Sequence, residues 1–563
     1  MATVSLDQDD LVDGSLARGT EKCHRSVAHL ALTHEQIASR ICLHSQPEHA
    51  FYVETRYLTL TILARTCKSL HIPAVQGIWK SMDSLAPLVM TMPIDCWELK
   101  DEEDKVREIR LIRSITVNDC DRFRFYAQFV RSYDTRSSRP YTEDPSIFES
   151  LFFVMKECGE TSILPNLETL DWSEWFYPRF PFFTTFLRPA LQNVRILLSH
   201  EKARFDAVKD LPVRCPDLRS VGVTTSNDSL TATLSSALSS LENLRDLNIS
   251  TLSTDAYLRL AEHPNLKSLS VIDLVTVDWE VIERSPPNSL SFAHLENISL
   301  DMCKVETAIR TFRSMKRPAL RNIKLWIRAG RGAESPLGSL FQSINATQAF
   351  DTLSHFDLHN SWSDEGEKLG VLQRSFIPEH LEPLFSFKQL VNVKIELSRP
   401  IIMVDSYIQK LAESWPLIEH LVLRCTDKLY WNCPRNTIRS LVHFAINCPY
   451  LKELALTFDA RDPPELSAKR LNSSISSKLS YMHVRDSPIG NSAMVAAILS
   501  DWFPQLSEID SGILAMNELD EAQREWEMVE AWIPGMRELR SQERRSCGRD
   551  YEMLDGQDEA GDV

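Results

Sequence analysis

Residues able to do chemistry occur along this 563-residue sequence, but never at the spacings that chemistry needs. His34-Glu35 opens like a zinc-protease motif, yet Ala38 stands where the second His ligand must be, one helical turn on. The twelve cysteines form no C-x-x-C pair. Cys425 and Cys433 have no second pair nearby to complete a metal site. Gly330 and Gly332 make a lone G-x-G, which reads as a turn and not as a phosphate loop. No Walker-type lysine loop occurs, and no G-x-S-x-G elbow for a nucleophile. The expectation is a chain that is not an enzyme, with no catalytic residue, no metal and no cofactor.

Charge narrows the partners. The formal net charge is −16, which repels a phosphate backbone, and no basic stripe offsets it, so nucleic acid is not the expected ligand. Residues 1–20 carry Asp7, Asp9, Asp10 and Asp13 and lack the basic start and apolar core of a secretory signal. No apolar run reaches the ~18 residues that a membrane span requires. The cysteines sit singly in apolar contexts, as small hydrophobes in a reducing compartment do. Cytoplasm or nucleus is the expected address, with no membrane partner.

What the sequence does carry is a repeat. The pattern L-x-x-L-x-L, with apolar substitutions, recurs thirteen times. Its first anchors are Leu167, Leu191, Leu218, Leu244, Leu266, Leu295, Leu320, Leu353, Leu390, Ile418, Leu451, Leu479 and Leu506. Most spacings lie between 22 and 29 residues, the range of leucine-rich repeats, and three are longer. The L-x-L portion alternates, as a short strand with one buried face must. Eight copies have Pro two residues before the anchor, as at Pro165, Pro318 and Pro449. Pro cannot continue a helix and biases its predecessor toward extended backbone, so it ends one helix and feeds the next strand. Helical stretches such as 230–241 and 437–447 lie between the strands. No such repeat buries its own apolar face, so each must stack on its neighbours.

Stacking turns the residues between anchors onto one continuous surface. It predicts that Lys324 and Trp326 lie beside Asp357 and His359, then Lys394 and Glu396, then Val422 and Arg424. Of these, Lys324, Trp326, Asp357, His359, Lys394, Glu396 and Arg424 are the expected substrate-binding surface, with Trp326 as an aromatic anchor for a partner. The alternative is that Trp326 packs under an insertion loop. The longest insertions, 328–349 and 360–384, arise beside these strands.

A different pattern precedes the repeats. Leu32, Ile37 and Ile41 form one helical stripe, and Leu60, Leu63, Ala64, Cys67 and Leu70 another. Pro73 is read as opening a further helix that carries Ile78 and Trp79. The stretch LARTCKSLHIPAVQGIWKSMDSLAPL, from Leu63, resembles the F-box of fungal proteins, a helical module. Ile112 to Tyr133 and the segment DPSIFESL from Asp144 resemble the same family. Thr33 and His34 stand where that family has its Pro region, with Glu35 kept. The resemblance implies docking on the Skp-type adaptor of a cullin–RING ubiquitin ligase. The adaptor-binding residues it implies are Leu32, Ile37, Ile41, Leu60, Leu63, Cys67, Pro73, Ile78 and Trp79. A helical cap over the first repeat is the competing reading of the same stripes.

The expected fold is an α/β leucine-rich-repeat solenoid, a horseshoe of short parallel strands and helices, behind an N-terminal helical F-box-like module. The expected divisions are a disordered 1–27, the module at 28–92, a connecting segment at 93–160, repeats at 161–512, a capping helix at 513–546, and an acidic disordered tail at 547–563. Trp526, Val529, Trp532 and Met536 should face the last repeat, with Pro534 kinking or splitting the helix. The expected function is substrate recognition for an SCF-type ligase, by a monomer within a complex that binds an unidentified protein. A repeat scaffold without ligase association is the alternative.

Overall fold

The computed structural model describes residues 35–44, 53–101, 107–135, 141–173, 180–198, 208–225, 228–284, 291–328, 336–361, 376–398, 401–426, 434–464, 477–484, 487–512 and 521–555. The chain divides into two compact units between Asn166 and Leu167.

The first unit opens with α1 (Glu35–His44), α2 (Val53–Thr66) and α3 (Lys68–Trp79). Their apolar faces meet in a small core of Ala38, Cys42, Leu60, Leu70 and Ala74, with Leu63, Ala64 and Ile78 packed against it. The break between α2 and α3 falls at Cys67, not at Pro73. Cys67 is extended (φ −157°, ψ 160°), and its carbonyl accepts from Leu70 N and His71 N at 3.2 and 3.1 Å, which starts α3 well before the proline. His71 Nδ1 lies 2.9 Å from Ala64 O and ties the new helix to the old one. Pro73 therefore sits inside α3, at the cost of a backbone N–H donor.

Residues 93–160 hold more structure than a connection. Strands β2 (Trp97–Asp101) and β3 (Arg107–Leu111) pair antiparallel, and β3 pairs in parallel with β5 (Tyr141–Glu143). A parallel pair joins β1 (Ser81–Met82) to β4 (Ser132–Asp134). Helix α4 (Pro145–Glu157) starts on an Asp144 cap that accepts from Ser146 N at 2.8 Å, with Pro145 in its first turn. It buries Ile147, Phe148, Leu151, Val154 and Met155.

In the second unit, thirteen parallel strands pair in chain order. They are β6 (Thr169–Ser173), β7 (Asn193–Leu197), β8 (Ser220–Thr224), β9 (Asp246–Ile249), β10 (Ser268–Val271), β11 (Asn297–Lys304) and β12 (Asn322–Arg328). Then come β13 (His355–Ser361), β14 (Asn392–Leu397), β15 (His420–Cys425), β16 (Glu453–Leu456), β17 (Tyr481–His483) and β18 (Glu508–Asp510). Each begins just after one of the thirteen anchors, and every anchor is at most 2% exposed. The fold is a leucine-rich-repeat solenoid.

The repeats lock together through backbone as well as side chains. Lys267 N donates to Arg245 O at 2.8 Å, Arg321 N to Glu296 O at 2.7 Å and Lys452 N to Glu419 O at 2.7 Å, so each strand is registered on its predecessor before the ladder begins. The long insertions contain ordinary repeat helices, Leu337–Ala346 and the 3₁₀ stretch Pro378–Ser386.

The array ends on α5 (Ser492–Trp502) and α6 (Glu521–Asp555). Trp526, Val529 and Ile533 of α6 are at most 2% exposed. Trp526 Nε1 donates to Ser487 O at 2.9 Å, and its ring meets Phe458 edge-on at 5.8 Å. The buried stripe differs from the expected one: Trp532 is 40% exposed, and Ile533 takes its place. Pro534 lies within a helix that runs on to Asp555, past the 546 boundary, so it does not split it.

Candidate functional site

Four consecutive strands bring the predicted surface residues together. In β12 the alternation is complete: Ile323, Leu325 and Ile327 are buried, while Lys324, Trp326 and Arg328 are exposed. Pairing then carries each of these positions sideways, although Glu396 and Val422 are themselves buried. Lys324 is opposite Asp357, Asp357 opposite Lys394, and Lys394 opposite Val422. In the next row Trp326 is opposite His359, His359 opposite Glu396, and Glu396 opposite Arg424.

Glu396 organises the second row. Its side chain is only 8% exposed, and it gathers three cationic or ionisable neighbours. Arg424 Nε donates to its Oε1 at 2.5 Å, Lys394 Nζ lies 3.1 Å from its Oε2, and His359 Nδ1 lies 3.5 Å from the same oxygen. Burial raises the Glu396 pKa, but the hydrogen bonds from Lys394 and Arg424 outweigh it and hold the carboxylate below its ordinary range. Asp357 shows the opposite balance. Burial wins there and raises its pKa, against the pull of Lys394 and Lys324.

The polar row continues further than the sequence suggested. Arg424 Nη1 is 3.2 Å from His483 Nε2, so that nitrogen accepts and leaves Nδ1 to donate. Nδ1 meets Asp510 O at 3.0 Å, and Tyr481 Oη donates to Asp510 Oδ2 at 3.1 Å. His483 and Asp510 were findable by stepping outward from the anchors Leu479 and Leu506, just as Lys324 was from Leu320.

Trp326 stands at the other end. It is 41% exposed, and its ring lies edge-on to His359 with centroids 4.5 Å apart. Beside it β11 bulges between Leu300 and Cys303. Met302 adopts a φ of +58° there, which leaves its side chain 37% exposed and its carbonyl accepting from Arg328 Nε at 2.5 Å. No periodicity signals that bulge.

The residues expected to bind the adaptor separate into three groups. Leu32 lies outside the described residues. Leu60 and Pro73 are buried, and Ile41, Leu63, Ile78 and Trp79 are half-buried. Leu60, Leu63 and Ile78 hold α1–α3 together, and Trp79 stacks on Tyr126 with centroids 4.9 Å apart. The correction is plain: a fully buried Leu60 packs helices and offers nothing to a partner. Ile37 and Cys67 are exposed. On α2 the sequence reading passed over two exposed apolar side chains, Leu58 and Ile62, 62% and 57% exposed. They lie four residues apart on α2, hence on one face. Ile72 of α3 is 39% exposed.

No protein-family model matches the chain. No curated protein matches it either. Similar solved structures include an internalin from Listeria monocytogenes, 15% identical with a TM-score of 0.35 over 69% of this chain and 93% of that one. Another is Rad7 of yeast in its complex with Elc1, 12% identical with a TM-score of 0.35 over 67% of this chain and 87% of that one. A third is TLR13 in complex with ssRNA13, 13% identical with a TM-score of 0.19 over 76% and 80%. At such values no partner or activity transfers from these structures to this chain.

Burial pushes the Cys120, Cys303 and Cys448 thiols up to about 12, so they stay protonated near neutral pH. Among the described residues no group of three or more His, Cys, Asp or Glu side chains gathers as metal ligands. Among them no helix is long and apolar enough to cross a membrane.

Proposed function

We propose that this chain is the substrate-recognition subunit of an SCF-type ubiquitin ligase. Its N-terminal helices hold a Skp-type adaptor, and its repeat surface holds a substrate protein. The observation that carries the reading is the exposure of Leu58 and Ile62 on one face of α2, in a three-helix unit that already has its own core. Large aliphatic side chains that the core does not need, grouped on one helix face, mark a surface for a partner. The F-box resemblance around Cys67–Trp79 supplies the identity of that partner. On this reading the chain acts in the cytoplasm or nucleus as a monomer within its complex. It is not an enzyme, needs no cofactor, and contributes proximity alone, the chemistry belonging to its ligase partners.

Co-purification with a Skp-type adaptor tests it. Burying one Leu or Ile contributes about 1.5–3 kcal/mol. Leu58→Asp with Ile62→Asp should therefore weaken adaptor binding by at least about a hundredfold. Both sites are exposed, so the variant should keep its helical content by circular dichroism. Absence of adaptor binding by the unaltered chain would leave the second reading, a repeat scaffold without ligase association. That reading draws on the inward use of Leu60, Pro73 and Trp79.

A further inference from the structure

We infer that the surface of β11–β15 accepts an acidic, extended segment of a partner protein, anchored by one apolar side chain. This rests on the reading of the repeat face as a protein-binding surface, and it names the chemistry of what binds there.

The cations on this surface stand outward and the carboxylates lie beneath them. Arg328 is 55% exposed at its side chain, and Lys394 and Arg424 are each 38% exposed. Lys304 and Lys324 are also exposed, with Lys304 opposite Arg328 in the strand register. The acidic groups among them are recessed: Glu396 is 8% and Asp273 is 18% exposed at the side chain, and Asp301 and Asp357 are half-buried. A chain of net charge −16 thus presents five cations on four of five adjacent strands, with their counter-charges set deeper. An approaching ligand meets a positive surface.

The apolar component lies within the same patch. Lys324, Trp326 and Arg328 alternate along β12, so a 41% exposed aromatic has a cation about 7 Å away on either side. Met302 adds a second exposed apolar side chain beside Trp326. An extended peptide with acidic residues two positions before and after an apolar one repeats that spacing. Part of the surface is also fixed in advance. Glu396 already holds Lys394 and Arg424, so their rotamers are ordered before a ligand arrives, while their remaining donors stay available. A nucleic acid fits less well, because a continuous phosphate backbone would pass over Asp357 and Glu396 and face the overall negative charge.

Fluorescence anisotropy with the purified full chain tests this. The probe is a short labelled peptide with Asp two positions on either side of a central Phe. Comparison peptides carry Asn or Lys in place of Asp, Ala in place of Phe, or phosphoserine in place of Asp, and an oligothymidylate tests nucleic acid. The probe should bind, and should weaken as salt rises. The Asn peptide, and the Lys324→Glu/Arg328→Glu variant with the original probe, should each bind at least about tenfold more weakly. The Ala peptide and Trp326→Ala should each lose affinity severalfold. Arg284→Glu, at a site 76% exposed on a repeat helix, should change nothing. Equal binding of the Asn or Lys peptide would overturn the inference, as would an unchanged double variant, binding of the phosphoserine peptide alone, or tighter binding of the oligonucleotide. A tenfold gain on deleting residues 1–20 or 556–563 would place the chain's own acidic end in the patch and also overturn it. Adaptor binding by the double variant separates the two claims. Retained adaptor binding without peptide binding refutes only this inference, and the converse refutes only the ligase reading.

Discussion

Glu396 and Asp357 occupy adjacent strands yet respond oppositely to their surroundings. Glu396 is held below its ordinary pKa, so its contribution to stability is complete above the unfolded carboxylate value and is lost as pH falls through the lower, folded one. Asp357 is raised, so its ionisation opposes folding once pH passes the ordinary carboxylate value. Near pH 7, Glu396→Gln should therefore destabilise by about 1–3 kcal/mol, the cost of unpairing buried charge-assisted hydrogen bonds. Asp357→Asn should leave the melting temperature unchanged or raise it slightly. Thermal melts of both variants at pH 7 check this, and equal losses would contradict it. Residue placement on this surface was legible in the sequence because strand alternation decides which side chains point outward. Charge balance was not, because it depends on how deeply each carboxylate sinks between its neighbours.

At the scale of elements, the strands were readable and the helix faces were not. Each L-x-x-L-x-L fixed a strand and its buried side without ambiguity. In α2 apolar residues occur on more than one face, so Leu60 and Leu63 looked like a binding stripe when Leu60 is core and Leu63 packs half-buried against it, and Leu58 and Ile62 went unnoticed. Pro73 misled for a related reason: a proline early in a helix can follow the start as well as make it. Two elements give direct tests. A Cβ on Gly490 would stand 2.4 Å from Arg461 O, a backbone atom that cannot swing away. Gly490→Ala should cost about 1–3 kcal/mol by forcing that backbone apart. A Cβ on Gly222 would stand 2.9 Å from Arg195 Cγ, a side-chain atom that can turn aside about χ1, so Gly222→Ala should cost less than Gly490→Ala. Trp526→Ala removes the buried anchor of α6 and should cost about 3–5 kcal/mol. Chemical denaturation reads all three, and a larger loss at Gly222 than at Gly490 would be against the account.

Across the whole molecule, the array of thirteen strands was visible because a solenoid repeats one solution, and chance does not start the same apolar pattern on twelve Leu and one Ile. The three-stranded sheet within 93–160 had no such redundancy and was missed, although Trp97, Leu99, Ile109 and Leu111 alternate as strands do. Stability in a solenoid is close to a sum over neighbouring repeats. Leu353→Ala, at a fully buried anchor, should cost about 2–5 kcal/mol. By hydrogen exchange, the loosening should concentrate in β12–β14 and leave the strands at both ends protected.

The claim that this chain serves a ubiquitin ligase is tested most directly by titrating the purified full chain with a Skp-type adaptor in a calorimeter. The account predicts a one-to-one complex that disappears when Leu58 and Ile62 are both replaced by Asp and persists when Lys324 and Arg328 are replaced by Glu. No heat of binding with the unaltered chain, or a complex indifferent to Leu58 and Ile62, would contradict it.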